Sequence, residues 1–252
     1  MRRGGWVLAA AVLALAGCTS SATSGSAAAP PPATATSSPG ARPAATPAAA
    51  PTRSRTAAGL CPAATTDDAA ARCLVASMNA FWTTQLHRRI QAKVVLGLPD
   101  TIPAGCRFPK DQEATHARAA FECPDNHTIY FGPVLLRNLH ADDPADAFPE
   151  RLAAVLGHEL GHSVQDAVHQ KEPTTGSLEA AWRFMEQQAD CLSGVWAHGT
   201  GLDTAIFLPA ARAMLTDVTD AGHVRDHGTV TERVAAVRRG LSGVAACHLG
   251  QR

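Results

Sequence analysis

The chain has 252 residues, of which 46% are hydrophobic and 17% charged, with 22 basic and 22 acidic side chains. This length predicts one or two domains, and the apolar fraction is sufficient for a globular core. A formal net charge of zero argues against a protein that coats nucleic acid. Every acidic residue lies beyond position 60, which leaves 17 basic and 22 acidic side chains over 61–252, a net charge of −5. An acidic domain gives no support to nucleic acid as a partner.

The first 17 residues have the pattern of a bacterial secretory signal. Two arginines precede an uninterrupted apolar run over 6–16, which is about 16 Å of helix and too short to span a membrane. The sequence LAGC at 15–18 is similar to a lipobox, which implies cleavage before Cys18 and lipid on its thiol. We expect a signal peptide over 1–17 and a mature protein anchored through its N-terminal lipid on the extracytoplasmic face of the cell membrane. In the alternative, an ordinary secreted protein, Cys18 is there by chance.

Residues 18–60 are expected to form a disordered tether. Apart from Cys18 the segment is almost entirely Ala, Ser, Thr, Pro and Gly, with seven prolines and no carboxylate. It has no large apolar side chain to bury before Leu60, so it should stay partly extended and unfolded. The domain that performs the chemistry should therefore lie within 61–252.

Six cysteines remain in this domain once Cys18 is assigned to lipid. An oxidising compartment favours disulfides, and the absence of any Cys-x-x-Cys pair argues against a cysteine zinc site. Sequence alone permits many pairings, of which we predict the sequential one. It consists of Cys61–Cys73, Cys106–Cys123 and Cys191–Cys247.

Hydrophobic periodicity predicts a helix-rich α+β domain with a small β-sheet. A helix is expected from Asp67 to about Arg89, and Gly, Pro and Cys residues over 97–125 indicate loops around short strands. β-branched and aromatic residues make His127–Leu136 the best strand candidate. Apolar spacing predicts four further helices, over about 148–168, 177–198, 204–215 and 229–241.

The predicted helix over 148–168 contains an HExxH motif, His158 to His162. Positions i and i+4 lie one turn apart on one helical face, so both imidazoles can bind the same zinc ion. Glu159 is then placed to act as the general base on zinc-bound water. The alternative is a helix with two half-exposed histidines, and the helical placement of the motif counts against it.

A catalytic zinc ion needs a third protein ligand and an open position for water. The same helix does not continue into a third-histidine motif, because Gln165 and Val168 stand at the required positions. Glu186, on the following helix, is the favoured third ligand. Asp190, one turn later, could accept a hydrogen bond from the outer nitrogen of a ligand histidine. Glu179, or Asp190 itself, remains an alternative ligand.

These motifs resemble the bacterial family of putative neutral zinc metallopeptidases. The resemblance rests on HELGHSVQ at 158–165 and EQQADCLSGVWA at 186–197, with shorter blocks in the same order at 227–229, 232–234 and 238–240. It implies a gluzincin-type, zincin-like domain with one Zn²⁺ per chain and a peptide or protein substrate. The ligands so implied are His158, His162 and Glu186, with Glu159 as base.

The resulting hypothesis is zinc-dependent hydrolysis of peptide bonds by a membrane-tethered lipoprotein. His227 and Tyr130, the only tyrosine in the chain, are the candidates for stabilising the oxyanion of the reaction. The strand near 128–136 could pair with an extended substrate. The alternative is a non-catalytic lipoprotein that holds zinc or binds a protein on the same scaffold. The sequence does not indicate an oligomeric state.

Overall fold

The structure is a computed structural model that describes residues 54–106, 117–141, 148–174, 176–216 and 226–250. The predicted signal peptide and nearly all of the predicted tether lie outside these residues. Both therefore stay predictions, as does the lipidation of Cys18. The end of the predicted tether is wrong, because residues 57–60 form a helix and Ala57 is buried in the core.

Helices dominate the described residues, and three short strands accompany them, as the predicted α+β class requires. No helix in this part of the chain is long and apolar enough to cross a membrane. In chain order the elements are α1 (Ala57–Leu60), α2 (Asp67–Leu86), β1 (Lys93–Val95), a 3₁₀ turn (Ala104–Cys106), β2 (Ala120–Cys123), β3 (Thr128–Phe131), α3 (Pro133–Ala141), α4 (Phe148–Ala167), α5 (Leu178–Gly199), α6 (Thr204–Thr216), α7 (Val230–Gly240) and a second 3₁₀ turn (Val244–Cys247).

The helix predictions are confirmed to within a few residues, because local signals mark the helix ends. The side chains of Thr66, Ser177 and Thr229 cap the first turns of α2, α5 and α7 by accepting backbone N–H hydrogen bonds. Helix α2 ends at Leu86, three residues earlier than expected, because His87 adopts a left-handed conformation with φ 51°.

The sheet has the order β1–β3–β2, with β1 parallel and β2 antiparallel to the central strand β3. Ile129 and Phe131 of β3 face the main helical core, whereas Tyr130 packs with Phe121 in a second cluster. This alternation follows from the two-residue period of a strand. Both edges of β3 are occupied, so the expectation that this strand pairs with substrate is wrong.

The strand expected over 127–136 is also too long, because β3 ends at Phe131 and α3 begins at Pro133. Proline is favoured in the first turn of a helix, where its missing N–H costs nothing. Leu135 and Leu139 then enter the core one helical turn apart, so the apolar run after 132 has a helical period rather than that of a strand.

Close helix crossings bring α4, α5 and α7 together. Gly161 of α4 lies against Ala189 of α5, where an added Cβ would come 2.9 Å from the Ala189 backbone. Gly194 of α5 and Gly240 of α7 make a similarly close crossing. Because glycine has no side chain, two helices that cross at a glycine can come closer together than larger residues would allow. The structure also contains the three predicted disulfides, Cys61–Cys73, Cys106–Cys123 and Cys191–Cys247.

Candidate metal centre

The α4–α5 crossing brings the three predicted ligands into one cluster. His158 and His162 lie one turn apart on α4, and Glu186 faces them from α5. One ligand atom from each of the three lies within 4.8 Å of the others. The Nε2 atom of His158 is 3.1 Å from Glu186 Oε2, and the Nε2 atom of His162 is 3.7 Å from Glu186 Oε1. Among the described residues, no other group of histidine, cysteine and acidic side chains has this geometry.

Neither alternative third ligand joins this cluster. Glu179 is exposed in the first turn of α5, two turns before Glu186. The carboxylate of Asp190 lies on the outer side of His158, with Oδ1 2.8 Å from Nδ1. Asp190 therefore occupies the predicted orienting position rather than a ligand position.

The outer nitrogen of each ligand histidine meets an acceptor. His158 Nδ1 contacts Asp190, and His162 Nδ1 lies 2.9 Å from Gln165 Oε1. A proton on Nδ1 that is donated to such an acceptor leaves the lone pair on Nε2, the nitrogen that faces the cluster. The contact of Gln165 with His162 was not predicted from the sequence, although its position three residues after His162 on the same helix could have indicated it.

Gln165 is itself held by a series of amide hydrogen bonds that leads to the backbone of Cys247 and His248. Its Nε2 donates to Met185 O at 2.7 Å and to Gln188 Oε1 at 3.0 Å. Gln188 Nε2 in turn donates to the backbone carbonyls of Cys247 and His248, at 3.0 and 3.2 Å. The segment that closes the Cys191–Cys247 disulfide therefore supports the orientation of His162.

Glu186, the predicted third ligand, has the property expected of a metal-binding carboxylate. Glu186 Oε2 is buried and forms no hydrogen bond of regular geometry with the described residues; Nε2 of His158 and of His227 approach it at 3.1 and 3.3 Å. A buried carboxylate oxygen without such a hydrogen bond is costly, and a cation removes that cost. Two imidazole nitrogens and one carboxylate oxygen are a ligand set that Zn²⁺ binds in catalytic sites. The described residues thus fit a zinc ion.

Burial and charge together shift the pKa values in this cluster. Burial lowers the pKa of His158, but the carboxylates of Asp190 and Glu186 outweigh it and raise that pKa to about 10. Burial raises the pKa of Asp190, but Arg233 and His158 outweigh it and lower that pKa to about 2. The pKa of Glu186 lies well below its ordinary value, because the neighbouring histidines outweigh its burial. Without metal, protons on the imidazoles balance the buried carboxylates.

Glu159, the candidate base, is held by the sheet. It is 8% exposed, and its Oε2 accepts a 3.0 Å hydrogen bond from the backbone N–H of Glu122 on β2. Glu122 is opposite Ile129 in the register and its N–H points away from β3. Among the described strands none pairs with this side of β2. The edge of β2 therefore runs beside the HExxH glutamate.

The side chain of Glu122 is a second buried carboxylate close to the base, and sequence reasoning did not single it out. Its side chain is 5% exposed, and Oε1 accepts a hydrogen bond from the Ser163 hydroxyl at 2.9 Å. Burial is the largest influence and raises its pKa. Ser163 follows His162 directly on α4, so this contact joins the strand to the ligand-bearing helix.

The structure separates the two oxyanion candidates. His227 Nε2 lies 3.3 Å from Glu186 Oε2, and burial lowers its pKa, which favours a neutral imidazole at pH 7. Tyr130 instead lies on the sheet face opposite Ile129, with its ring against Phe121 and its hydroxyl accepting from Asn126 Nδ2 at 2.9 Å. His227 is therefore at the site and Tyr130 is not.

One comparison with known proteins adds to this geometry. The family model described as "Putative neutral zinc metallopeptidase" matches residues 36–221, about three quarters of the chain. The match contains all three predicted ligands and Glu159, and it ends before His227 and α7. No curated protein and no solved structure matches the chain.

Proposed function

Because the chain belongs to the neutral zinc metallopeptidase family, we propose that it hydrolyses peptide bonds with one zinc ion per chain. The ligands in this proposal are His158, His162 and Glu186. The observation that carries the proposal is the convergence of these three side chains within 4.8 Å, two of them on the helix that also presents Glu159. A site that only held zinc would not need a buried glutamate beside two of its ligands.

A zinc ion bound at these residues supplies Lewis acidity, which lowers the pKa of a coordinated water to near 7. Glu159 accepts the proton of the attacking water and passes it to the leaving amine. The hydrogen bond from the Glu122 N–H keeps the carboxylate of Glu159 in one orientation. A fixed carboxylate loses less freedom in the transition state than a mobile one.

The edge of β2 is where we place the substrate backbone. Ala120 is opposite Phe131 in the antiparallel register, at a position whose N–H and C=O groups point away from the partner strand. The C=O of Glu122 points the same way, whereas its N–H is already bonded to Glu159. An extended peptide added along this edge would pass Glu159 and gain main-chain hydrogen bonds. This assigns to β2 the role that the sequence suggested for β3.

His227 is the proposed donor to the oxyanion. Its Nε2 faces the cluster beside Glu186, and a neutral imidazole can donate one hydrogen bond to developing negative charge. The alternative, a non-catalytic lipoprotein that holds zinc or binds a protein, leaves unexplained why Glu159 is held at the edge of β2.

Tethering at the cell envelope is a separate part of the proposal. The LAGC sequence at 15–18 and the Ala/Pro/Ser/Thr-rich segment over 19–53 support a lipid on Cys18 and a flexible connection to the domain. The three disulfides support an extracytoplasmic location, because such bonds persist in oxidising compartments. Substitution of Cys18 by Ser should move the protein from the membrane fraction to the soluble fraction; unchanged membrane association would contradict lipid anchoring.

Digestion of a peptide library by the purified protein tests the proposed hydrolysis. Mass spectrometry should find cleaved peptides that disappear with a zinc chelator and return when zinc is added back. Cleavage that persists in chelator, or no cleavage by the zinc-loaded protein, would contradict the proposal.

A further inference from the structure

Arg233 is a buried cation in the fourth position of α7. Its side chain is only 6% exposed, although removing a guanidinium from water costs several kcal/mol unless its partners compensate. The capping box between Thr229 and Glu232 fixes where α7 begins, and so fixes the position from which Arg233 reaches α5. A buried arginine held this firmly requires a specific partner.

That partner is the carboxylate which orients His158. Arg233 Nε donates to Asp190 Oδ2 at 2.8 Å and its Nη2 donates to Asp190 Oδ1 at 2.9 Å. Two parallel bonds between planar groups fix the plane of the carboxylate as well as its distance. Oδ1 is also the atom that contacts His158 Nδ1 at 2.8 Å. Arg233 Nη2 lies 3.3 Å from the same imidazole nitrogen.

We propose that Arg233 is a positioning residue of the metal centre, which fixes the ring of His158 through Asp190, so that α7 sets how tightly the chain holds zinc. The inference rests on the proposed zinc site but not on hydrolysis. Arg233 reaches neither metal nor substrate in this role. It acts by keeping Asp190 Oδ1 directed at the outer nitrogen of His158, which keeps Nε2 directed at the ligand cluster.

Two arguments distinguish this positioning role from that of an ion pair that only joins α7 to α5. The α5–α7 crossing also has the close contact of Gly194 with Gly240, and the Cys191–Cys247 disulfide ties α5 to the 3₁₀ turn that follows α7, so the ion pair is not the only link between these elements. An ion pair that only joined two helices would also not need to share its acceptor oxygen with a metal ligand. Lysine at 233 keeps the positive charge but cannot form the two-point contact.

The Arg233→Lys variant tests the role through zinc affinity. Competition with a chelating dye should show a dissociation constant ~10–100-fold higher than that of the unchanged protein, as for other residues that orient a metal ligand. The circular dichroism spectrum of the zinc-free variant should stay the same. With Co²⁺ in place of Zn²⁺, the visible absorption bands should shift, because they report ligand geometry. Arg239→Lys, an exposed position of the same helix, is the matched control and should change none of these.

A double-mutant cycle with Asp190→Asn shows whether Arg233 acts through Asp190. In the asparagine background the lysine substitution should weaken zinc binding by less than twofold. Unchanged zinc affinity in Arg233→Lys, or an equal loss in both backgrounds, would overturn the proposal. The same cycle with Arg233→Gln, whose amide keeps a donor, decides the question if the lysine variant does not fold. The dissociation constants and the Co²⁺ spectra report metal binding alone, so they test the role of Arg233 even if the protein does not hydrolyse peptides.

Discussion

The backbone N–H of Glu122 donates a 3.0 Å hydrogen bond to Oε2 of Glu159. This contact joins the edge of the sheet to the helix that presents the two predicted histidine ligands. It places a carboxylate, a strand edge and the His158–His162 pair side by side. A helix pair alone would supply the ligands, but it would offer an extended substrate no backbone to pair with.

Glu159→Gln should retain zinc and lose hydrolysis. The glutamine carbonyl can still accept the Glu122 hydrogen bond, but an amide cannot take a proton from water, and general-base catalysis typically contributes about 10²–10⁴-fold. Peptide cleavage and zinc content should be measured on the same preparation. Glu172→Gln, at an exposed position outside the helices, should keep full activity. A Glu159→Gln protein that also kept full activity would show that Glu159 is not the base.

Glu186→Ala should lose zinc, since two imidazoles remain from a set of three ligands. Elemental analysis after dialysis should find far less than one zinc per chain. The matched control is Glu179→Ala, on the same helix but exposed and outside the cluster, which should keep its zinc. Stoichiometric zinc in Glu186→Ala would mean that the third ligand lies elsewhere.

The helices of the fold and the core of the site could be predicted from sequence because both depend on local spacing. HExxH places two ligands on one helical face, and caps such as Thr229 mark where helices begin. The contacts of Gln165, Glu122 and Arg233 were not predicted. Glu122 and Arg233 contact elements that are far from them in the chain, and no local pattern specifies which strand or helix will face them. The contact of Gln165 with His162 lies within one helix, so its spacing could have indicated it, whereas the bonds of Gln165 to α5 could not be predicted in this way. The over-long β3 had a different cause, since a short apolar run fits a strand and a helix equally well.

Zinc affinity should rise with pH across the neutral range. Zinc binds unprotonated imidazole, whereas the pKa of His158 in the metal-free site is about 10 and that of His162 is also raised. At a pH below the pKa of an imidazole, zinc must displace its proton, so the apparent zinc affinity rises about tenfold per pH unit for each such imidazole. Calorimetry in buffers of different ionisation enthalpy should detect release of at least one proton per zinc at pH 7. Binding without proton release would contradict these shifts.

The same shifts set the pH dependence of the metal-free protein. Because the pKa of His158 is raised in the folded state, its protonated imidazole contributes to stability in full below pH 6.5. This contribution is lost as the pH rises towards about 10. Because the pKa of Asp190 is lowered in the folded state, its ionised carboxylate contributes to stability above pH 3.8. This contribution is lost as the pH falls towards about 2. Thermal midpoints of the metal-free protein should therefore be highest between about pH 4 and 6.5. A midpoint that increased steadily from pH 6.5 to 9 would contradict the shift of His158.

The Cys191–Cys247 disulfide should affect zinc as well as stability. Removing it by a double serine substitution should cost about 2–4 kcal/mol of unfolding free energy, measured by denaturant titration. It should also weaken zinc binding, because Gln188 anchors on the Cys247 carbonyl and holds the Gln165 amide that orients His162.

The Cys61–Cys73 disulfide provides the control for this prediction. It joins the start of the domain to α2, and neither cysteine takes part in the amide chain to His162. Its double serine variant should lower stability and leave the zinc dissociation constant of the folded protein unchanged. If the two disulfide variants weakened zinc binding equally, loss of global stability would account for both effects. A selective effect of the Cys191–Cys247 pair would show that the C-terminal segment acts on His162 through Gln188 and Gln165.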